Sequence, residues 1–337
     1  MIMEKELLEI AEHILESDPD PVVRYRLLKD ILKLPRNDEI IIRAKKDIFG
    51  NKWVTQLQEE QWEDGSWGRF HSQDTELKQK ISTTEFGVRY ACQQGLDLDD
   101  LMLKKARDYC VSILNNNTIV RDRKEFLRFG SSVFDTGIKK IVAATLVEIE
   151  PNHPILKQYR EFWVGILVCS YPGGKHNRES EIQAYSKSLN LTESNAKGVL
   201  RATKGKAFHL RDRYSIKLLG SSSELIPEEV EHAWVRHMWD EGIYYLSDAN
   251  TEELSQKGNL ISWFSVMEHL SLLPSWKKMA KSQMEWLLEQ RDKEGMWEFE
   301  NKLVMPISSN WKKKNYRKFD WTLKAMLILQ KYLEKTI

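Results

Sequence analysis

Cysteine is scarce in this sequence and shows no paired spacing. The 337 residues include three cysteines, Cys92, Cys110 and Cys169, and no Cys-x-x-Cys motif. A sparse, odd-numbered set of this kind is typical of buried thiols in a reducing compartment rather than of a disulfide framework. A signal peptide is also missing, because residues 1–6 lack its basic and apolar regions. We therefore expect a cytoplasmic protein.

Long apolar runs and an excess of charge of one sign are absent as well. No uninterrupted apolar stretch approaches the roughly 18 residues that would suggest a membrane-spanning helix. Lysine and arginine total 51, and aspartate and glutamate total 50, so no net field steers the protein towards nucleic acid or an anionic membrane. No transmembrane segment is predicted, and any basic binding site must be local.

The motifs that usually identify an enzyme are missing too. The sequence has no Gly-x-Ser-x-Gly nucleophile motif, no His-Glu-x-x-His zinc motif and no glycine-rich phosphate loop. Pro172–Gly174 has the pattern of a turn, not of a phosphate cradle. We predict no cofactor and no metal site, and the sequence leaves open whether the protein is an enzyme.

Helical periodicity dominates what is present. Apolar residues make up 41% of the chain and charged residues 30%, which is a globular composition. The apolar residues recur at the spacing of amphipathic helices, and no alternating run indicates a strand. Helix and short turn alternate at roughly 40–50 residues per helix pair, the pattern of an all-α helical-hairpin repeat protein. Predicted helices cover residues 4–16, 21–34, 38–58, 83–93, 103–114, 135–150, 155–166, 263–273, 276–290 and 319–333.

The rest of the sequence is organised around residues 53–68, Trp-Val-Thr-Gln-Leu-Gln-Glu-Glu-Gln-Trp-Glu-Asp-Gly-Ser-Trp-Gly. A weaker copy covers residues 286–297, where Gln290 and Gly295 precede Trp297. In both copies a helix end is followed by Gln, a short polar stretch, Gly, one residue and Trp. The Gln amide can satisfy backbone groups left free at the end or start of a helix, and the Trp can fold over it. We predict that this unit ties neighbouring helical hairpins together.

The segment Gln61-Trp-Glu-Asp-Gly-Ser-Trp-Gly68 resembles the repeat of squalene–hopene cyclases, oxidosqualene cyclases and protein prenyltransferase β-subunits. The resemblance implies an α/α toroid, in which inner helices surround a central cavity and outer helices enclose them. Residues 1–337 would then form a single toroid domain, with an N-terminal helical hairpin at 1–35 and a candidate helix-turn-helix-like insertion at 178–213. It also implies an apolar or isoprenoid-like ligand in the cavity.

The resemblance to class II terpene cyclases draws attention to Asp97-Leu-Asp99-Asp100, which has the letters of their Asp-x-Asp-Asp acid motif. A catalytic version needs a protonated carboxyl whose pKa is raised by burial and by neighbouring carboxylates. Here the motif follows Gly95 in a turn and directly precedes a helix, where Asp99 or Asp100 would serve as the N-cap. We predict capping and keep acid catalysis as the alternative.

Prenyltransferase β-subunits, the other proteins in this resemblance, bind zinc through Asp, Cys and His. None of the three cysteines has an Asp and a downstream His in a recognisable arrangement. No metal site is therefore carried over from that family.

The densest cluster of polar and aromatic residues lies at 231–245. As a cavity wall it would present to a ligand the side chains of Trp234, His237, Trp239, Tyr244 and Tyr245. These five are the predicted ligand-binding residues. The alternative is an amphipathic helix whose tryptophans pack inward.

Residues 182–213 allow a different interpretation of function. Apolar residues fall at helix-turn-helix core spacing, and Asn190 occupies a turn position that favours a left-handed backbone. Basic residues follow that could contact phosphates, namely Lys197, Arg201, Lys204, Lys206, Arg211 and Arg213. We predict a further toroid hairpin here; the alternative is a non-enzymatic helical scaffold that binds a protein or nucleic acid. The basic run 311–318 is predicted to be a solvated loop.

Overall fold

The computed structural model describes residues 2–124, 127–201, 208–300, 303 and 305–334. In these residues the regular secondary structure is helical, and the β structure consists of two isolated β-bridges. The predicted all-α class is confirmed. The helices are α1 (Ile2–Glu16), α2 (Pro21–Arg26), α3 (Glu39–Asp47), α4 (Lys52–Glu60), α5 (Thr84–Gln93), α6 (Leu101–Leu114), α7 (Ser131–Ile149), α8 (Leu156–Ser170), α9 (Arg178–Ser188), α10 (Glu193–Arg201), α11 (Arg213–Gly220), α12 (Glu228–Glu241), α13 (Thr251–Gln256), α14 (Leu260–Leu270), α15 (Trp276–Met279), α16 (Lys281–Glu289) and α17 (Lys314–Leu333).

The chain divides into two compact units. Unit 1 comprises Met1–Glu60, Tyr90–Leu96 and Lys277–Ile337, and unit 2 comprises Gln61–Arg89 and Asp97–Trp276. Among the described residues, no helix combines the length and the apolar character needed to cross a membrane. The single toroid domain stays a prediction.

Unit 1 contains a buried hydrogen-bond network at the starts of α2 and α4. The Asp20 carboxylate accepts hydrogen bonds from the Asn51 side chain at 2.8 Å and from the Ser309 N–H at 2.8 Å. The Asn51 side chain in turn accepts the Trp53 N–H at 2.8 Å, and the backbone of Asn51 is extended. Because this cap requires a non-helical residue, the single helix predicted over 38–58 is wrong, and the chain forms α3 and α4 instead.

Helices that follow one another in unit 2 pack side by side. α6 packs against α7, α7 against α8, α8 against α9, and α9 against α10. α11 also contacts α7, α8 and α14. Several large side chains of unit 2 are fully buried, among them Trp163, Tyr185, Phe208, Trp234 and Trp263. Paired helices of the predicted kind are therefore present in unit 2.

The first copy of the tryptophan motif forms a tight turn in unit 2. The Trp62 N–H donates to the Ser66 carbonyl at 2.8 Å, and the Gly65 N–H donates to the Trp62 carbonyl at 3.0 Å. Gly65 has φ +88°, and a Cβ atom there would lie 2.3 Å from the Lys105 carbonyl oxygen in α6. Glycine is needed at this position for its backbone conformation and for the close approach of the two backbones.

The same turn is fastened to two helices. Gln61 Nε2 donates to the Gly65 carbonyl at 3.0 Å and to the Met102 carbonyl, in the first turn of α6, at 2.9 Å. Trp67 is fully buried, and its N–H donates to the hydroxyl of Thr84, the first residue of α5, at 3.0 Å. This Gln does bond to the first turn of a neighbouring helix, but its acceptor is a carbonyl and not one of the N–H groups left free at a helix start.

The second copy of the motif repeats the turn in unit 1. The Asp292 N–H donates to the Met296 carbonyl at 2.8 Å, and the Gly295 N–H donates to the Asp292 carbonyl at 3.0 Å. The Trp297 N–H donates to the Thr322 hydroxyl of α17 at 3.1 Å. Bond for bond, this arrangement matches the turn in unit 2.

The structural register of the second copy differs by one residue from the one we predicted. The matched bonds place Arg291, not Gln290, at the position of Gln61. Gln290 Nε2 lies 3.4 Å from the Trp286 carbonyl of its own helix, in an exposed position. Arg291 donates to the Glu6 carboxylate at 2.9 Å. The prediction that Gln290 repeats the role of Gln61 is wrong, because its amide points back along α16.

The basic residues singled out in the sequence are only partly on the surface. Asn190, between α9 and α10, has φ +51°, the left-handed conformation that was predicted. Lys204 and Lys206 lie outside the described residues. The side chains of Arg211 and Arg213 are only 15% and 14% exposed, and each is paired with a glutamate of unit 2.

The run 311–318 is not a solvated loop as predicted. α17 begins within it at Lys314. The Lys318 side chain is 13% exposed and lies 2.6 Å from the Asp292 carboxylate and 2.5 Å from the Glu294 carboxylate. Lys318 therefore forms ion pairs that connect α17 to the second tryptophan turn.

Candidate functional site

A cleft in unit 2 brings three histidines together. Its volume is about 330 Å³, and Leu200 and Leu210 are its aliphatic lining residues. The other lining residues are polar or titratable, namely Tyr171, His176, Arg178, Glu181, His209, Arg211, His237, Glu241 and Tyr244. We call this site the histidine cleft.

A hydrogen-bonded chain of three side chains forms one wall of the cleft. The Tyr171 hydroxyl lies 2.6 Å from His237 Nδ1, and His237 Nε2 lies 3.3 Å from the Glu241 carboxylate. Burial, together with the nearby charges of Arg211 and His176, lowers the pKa of His237 to about 4. The ring is therefore neutral at pH 7; with its proton on Nε2, facing Glu241, Nδ1 accepts a hydrogen bond from the Tyr171 hydroxyl.

The start of α9 forms the facing wall. His176 Nε2 lies 3.3 Å from the Glu181 carboxylate, which Arg178 also contacts, and the rings of His176 and His237 are 4.3 Å apart between centroids. Burial alone would raise the pKa of Glu181, but His176 and Arg178 lower it. Glu181 is therefore a buried carboxylate whose charge is already matched. The Pro172–Gly174 turn carries Tyr171 and His176 into the same cleft.

A buried ion pair holds the segment that supplies His209 and Arg211. Lys140 Nζ lies 2.6 Å from the Asp212 carboxylate, and both side chains are 0% exposed. Lys140 also donates to the His209 carbonyl at 3.1 Å. Asp212 caps α11 by accepting the N–H groups of Tyr214 and Ser215. These bonds hold the backbone on either side of Asp212. Removal of either partner would leave a buried charge unpaired.

Tyr244 closes the remaining side of the cleft. Its N–H donates to the Arg211 carbonyl at 2.8 Å, and its ring centroid lies 5.1 Å from the Arg211 guanidinium carbon. The His209 ring stands 4.3 Å from the Tyr244 ring between centroids. Burial lowers the pKa of His209 to about 4. Two of the three cleft histidines, His209 and His237, are thus neutral at pH 7.

The structure separates the five residues that we predicted to bind a ligand. His237 and Tyr244 line the histidine cleft. Trp234 and Trp239 are 0% and 4% exposed and belong to the core, as in the alternative in which the tryptophans pack inward. Tyr245 does not line the cleft and belongs to a second cluster.

That second cluster consists of His71, Glu85, Arg213, Tyr214 and Tyr245. The Tyr214 hydroxyl lies 2.9 Å from the Glu85 carboxylate, 3.1 Å from His71 Nδ1 and 2.8 Å from the Arg213 guanidinium. Burial would raise the pKa of Glu85, but Arg213 and His71 lower it to about 2. The adjoining cavity measures about 10 Å³, room for about one water molecule. The cluster is an ionic network packed around a cavity of that size.

The three aspartates of the predicted acid motif form a turn. The Asp97 N–H donates to the Asp100 carboxylate at 2.8 Å, and the Asp99 N–H donates to the Asp97 carboxylate at 3.1 Å. Asp100 is the N-cap residue of α6, as predicted, but its side chain makes no cap hydrogen bond to the helix. Asp99 is exposed and the other two are half-buried, whereas acid catalysis by a raised pKa requires burial. None of the three lines the histidine cleft.

Sequence reasoning missed most of the cleft. Tyr171, His176 and Glu181 come from residues 171–181 and His209 from a separate segment, and none of these four was predicted. Arg211 was predicted only as a basic residue that could contact phosphates. The available signal was the Pro-Gly-Gly turn between Tyr171 and His176, because a tight turn places the residues on either side of it close together.

Within the part of the chain that the structure describes, no group of three His, Cys, Asp or Glu side chains could hold a metal ion.

Comparison of the chain with protein-family models, with characterised proteins and with solved structures found no match. The family resemblance therefore rests on the motif residues alone.

Proposed function

We propose that the histidine cleft is the functional site of this protein and that it binds a small polar ligand. The observation that carries the proposal is the convergence of three histidines, two arginines and two tyrosines in one cleft of about 330 Å³. Convergent polar groups with shifted pKa values in a concave site favour ligand binding over a purely structural role.

The proposed ligand lies against the chain formed by Tyr171, His237 and Glu241. A neutral His237 accepts a hydrogen bond at one ring nitrogen and donates one from the other. Burial raises the pKa of Tyr171, so its hydroxyl keeps its proton at pH 7 and can donate a hydrogen bond. Donors and acceptors that converge in one cleft support the binding of a polar ligand.

Affinity mass spectrometry of the full chain tests this proposal. The protein is incubated with a polar metabolite extract and, in parallel, with a bacterial lipid extract, and the retained compounds are identified. We expect a polar compound that is retained by the wild-type protein and lost in His237→Gln. The matched control is His13→Gln, at an exposed histidine of α1, which should retain the compound. Retention by both variants, or retention of no polar compound, would refute the proposal.

A second candidate follows from the family resemblance. It is a terpenoid-cyclase-like or prenyltransferase-like α/α toroid that holds an apolar or isoprenoid-like ligand in a central cavity. The bonds of Gln61 and the paired helices of unit 2 support the toroid. The aromatic rings of Tyr171 and Tyr244 could contact such a ligand, although the remaining lining is mostly polar. Retention of a lipid, and of no polar compound, in the same experiment would favour this candidate.

A further inference from the structure

We propose that the ligand of the histidine cleft carries a carboxylate or phosphate group, and that this group binds Arg211 and His237 by displacing the Glu241 carboxylate. The inference rests on the proposed function, because it concerns the same cleft. It adds the chemical class of the ligand and assigns Glu241 as an internal anion that holds the site before the ligand arrives.

The fixed part of the site is the cation. The Arg211 side chain is 15% exposed. Its Nη1 donates to the Gly242 carbonyl at 3.2 Å, its guanidinium stacks over the Tyr244 ring, and its backbone carbonyl accepts the Tyr244 N–H. These contacts hold the guanidinium in place whether or not Glu241 is bound to it.

The movable part is the carboxylate. The Glu241 side chain is 60% exposed, and it lies 3.1 Å from Arg211 and 3.3 Å from His237 Nε2. An ion pair with one well-exposed partner contributes little to stability, so Glu241 can leave at small cost. The other cleft carboxylate, Glu181, is 5% exposed and is paired with Arg178 and His176, so it is not the one that exchanges.

The geometry explains why an oxyanion fits the vacated position. A carboxylate or phosphate offers at least two acceptor oxygens, and arginine binds such groups through two parallel N–H donors. With its proton on Nε2, His237 supplies a third donor on the same side, where Nε2 now faces Glu241. A neutral ligand would leave the guanidinium without a matching charge once Glu241 had moved.

The test is a titration of the full-length protein with inorganic phosphate and, separately, with acetate, followed by the NMR signals of the histidine rings at constant ionic strength and pH 7. We expect saturable shifts with at least one of the two anions, which also identifies the anion type. Glu241→Gln should bind that anion about two- to fivefold more tightly, because an exposed competing ion pair is removed. Arg211→Gln should weaken binding at least about tenfold.

The control removes the same charge one residue away. Asp240→Asn changes the net charge as Glu241→Gln does, but Asp240 is exposed and does not line the cleft, so its affinity should stay at the wild-type value. Anion binding that Glu241→Gln leaves unchanged or weakens would overturn the displacement while leaving the cleft as a binding site. If neither anion binds any variant but a neutral polar compound is retained in a His237-dependent manner, the inference fails and the proposed function stands.

Discussion

The two tryptophan turns, one in each unit, have the same backbone but are fastened in different ways. Their glycines, Gly65 and Gly295, have φ +88° and +77°. Their tryptophans, Trp67 and Trp297, are both 0% exposed, and each donates its N–H to a threonine hydroxyl, at 3.0 Å and 3.1 Å. The residues that set the path of the chain are therefore the glycine and the tryptophan.

The fastening residues show the difference. In unit 2 a neutral amide, that of Gln61, bonds the turn to a backbone carbonyl of α6, and the ion pair of this turn, Asp64 with Arg121 at 3.2 Å, is more exposed to solvent than that of Lys318 with Asp292. In unit 1 charged side chains connect the turn to a helix, since Lys318 of α17 contacts Asp292 and Glu294 of the turn. A neutral hydrogen bond is insensitive to salt and to pH, whereas an ion pair depends on both. The same turn should thus respond differently to solution conditions in the two units.

The largest difference is expected on replacing the glycines. In Gly65→Ala the new Cβ would lie 2.3 Å from the Lys105 carbonyl oxygen, whereas in Gly295→Ala the nearest atom, Ile10 Cδ1, lies at 3.4 Å. Both variants incur the left-handed backbone strain of about 1–2 kcal/mol. Gly65→Ala must also displace α6, so we expect it to lose about 3 kcal/mol or more in the free energy of unfolding.

Hydrogen exchange at the buried tryptophan N–H of each turn measures these losses locally, and urea unfolding measures them globally. Each variant serves as the control for the other, because the chemical change and the sign of φ are the same. Equal losses would show that contact with α6 does not distinguish the turns.

A smaller difference is expected for the two glutamines. Gln61→Leu removes hydrogen bonds to Gly65 and Met102 at 3.0 Å and 2.9 Å in a partly buried position, which should cost about 1–2 kcal/mol. Gln290→Leu removes one exposed contact of 3.4 Å to Trp286 and should stay within about 0.5 kcal/mol. Urea unfolding of the two variants tests the register. A loss at Gln290 as large as that at Gln61 would contradict the placement of Arg291 at the Gln61 position.

The sequence predicted the turns well and their register less well, for a physical reason. Glycine with positive φ and a buried tryptophan leave a recognisable pattern, so Gly65 and Gly295 could be found from the letters alone. The fastening residue is defined by what it reaches in space, and a Gln in the right context was therefore matched wrongly at Gln290. The break between α3 and α4 was missed for a similar reason, because the cap at Asn51 interrupts an otherwise continuous apolar stripe.

The histidine cleft shows where sequence periodicity stops being informative. His237 and Tyr244 were predicted because they lie in one dense polar–aromatic segment. His176 and His209 were not, since helical spacing identifies the buried face of a helix but not which helix ends converge. Tyr245 follows Tyr244 directly and yet belongs to the His71 cluster, because the chain turns at Tyr245, whose backbone is left-handed with φ +69°.

The smallest effect is expected at Lys318, and it is conditional on pH and salt. Burial would raise the pKa of Asp292, but hydrogen bonds from Lys318 and from the backbone lower it. A carboxyl group whose pKa is lowered in the folded protein adds to the free energy of unfolding. This contribution is present above the pKa of the unfolded chain, about 3.9, and is lost as the pH falls through the pKa of the folded protein.

Protection of the Trp297 N–H against hydrogen exchange, corrected for intrinsic exchange, should therefore decrease on acidification from pH 6 to pH 3. The substitution Lys318→Met should reduce the protection of the Trp297 N–H about two- to fivefold at low salt and less at 1 M salt. The Trp67 N–H is the internal control, and an equal decrease there would mean that the two turns are not fastened differently.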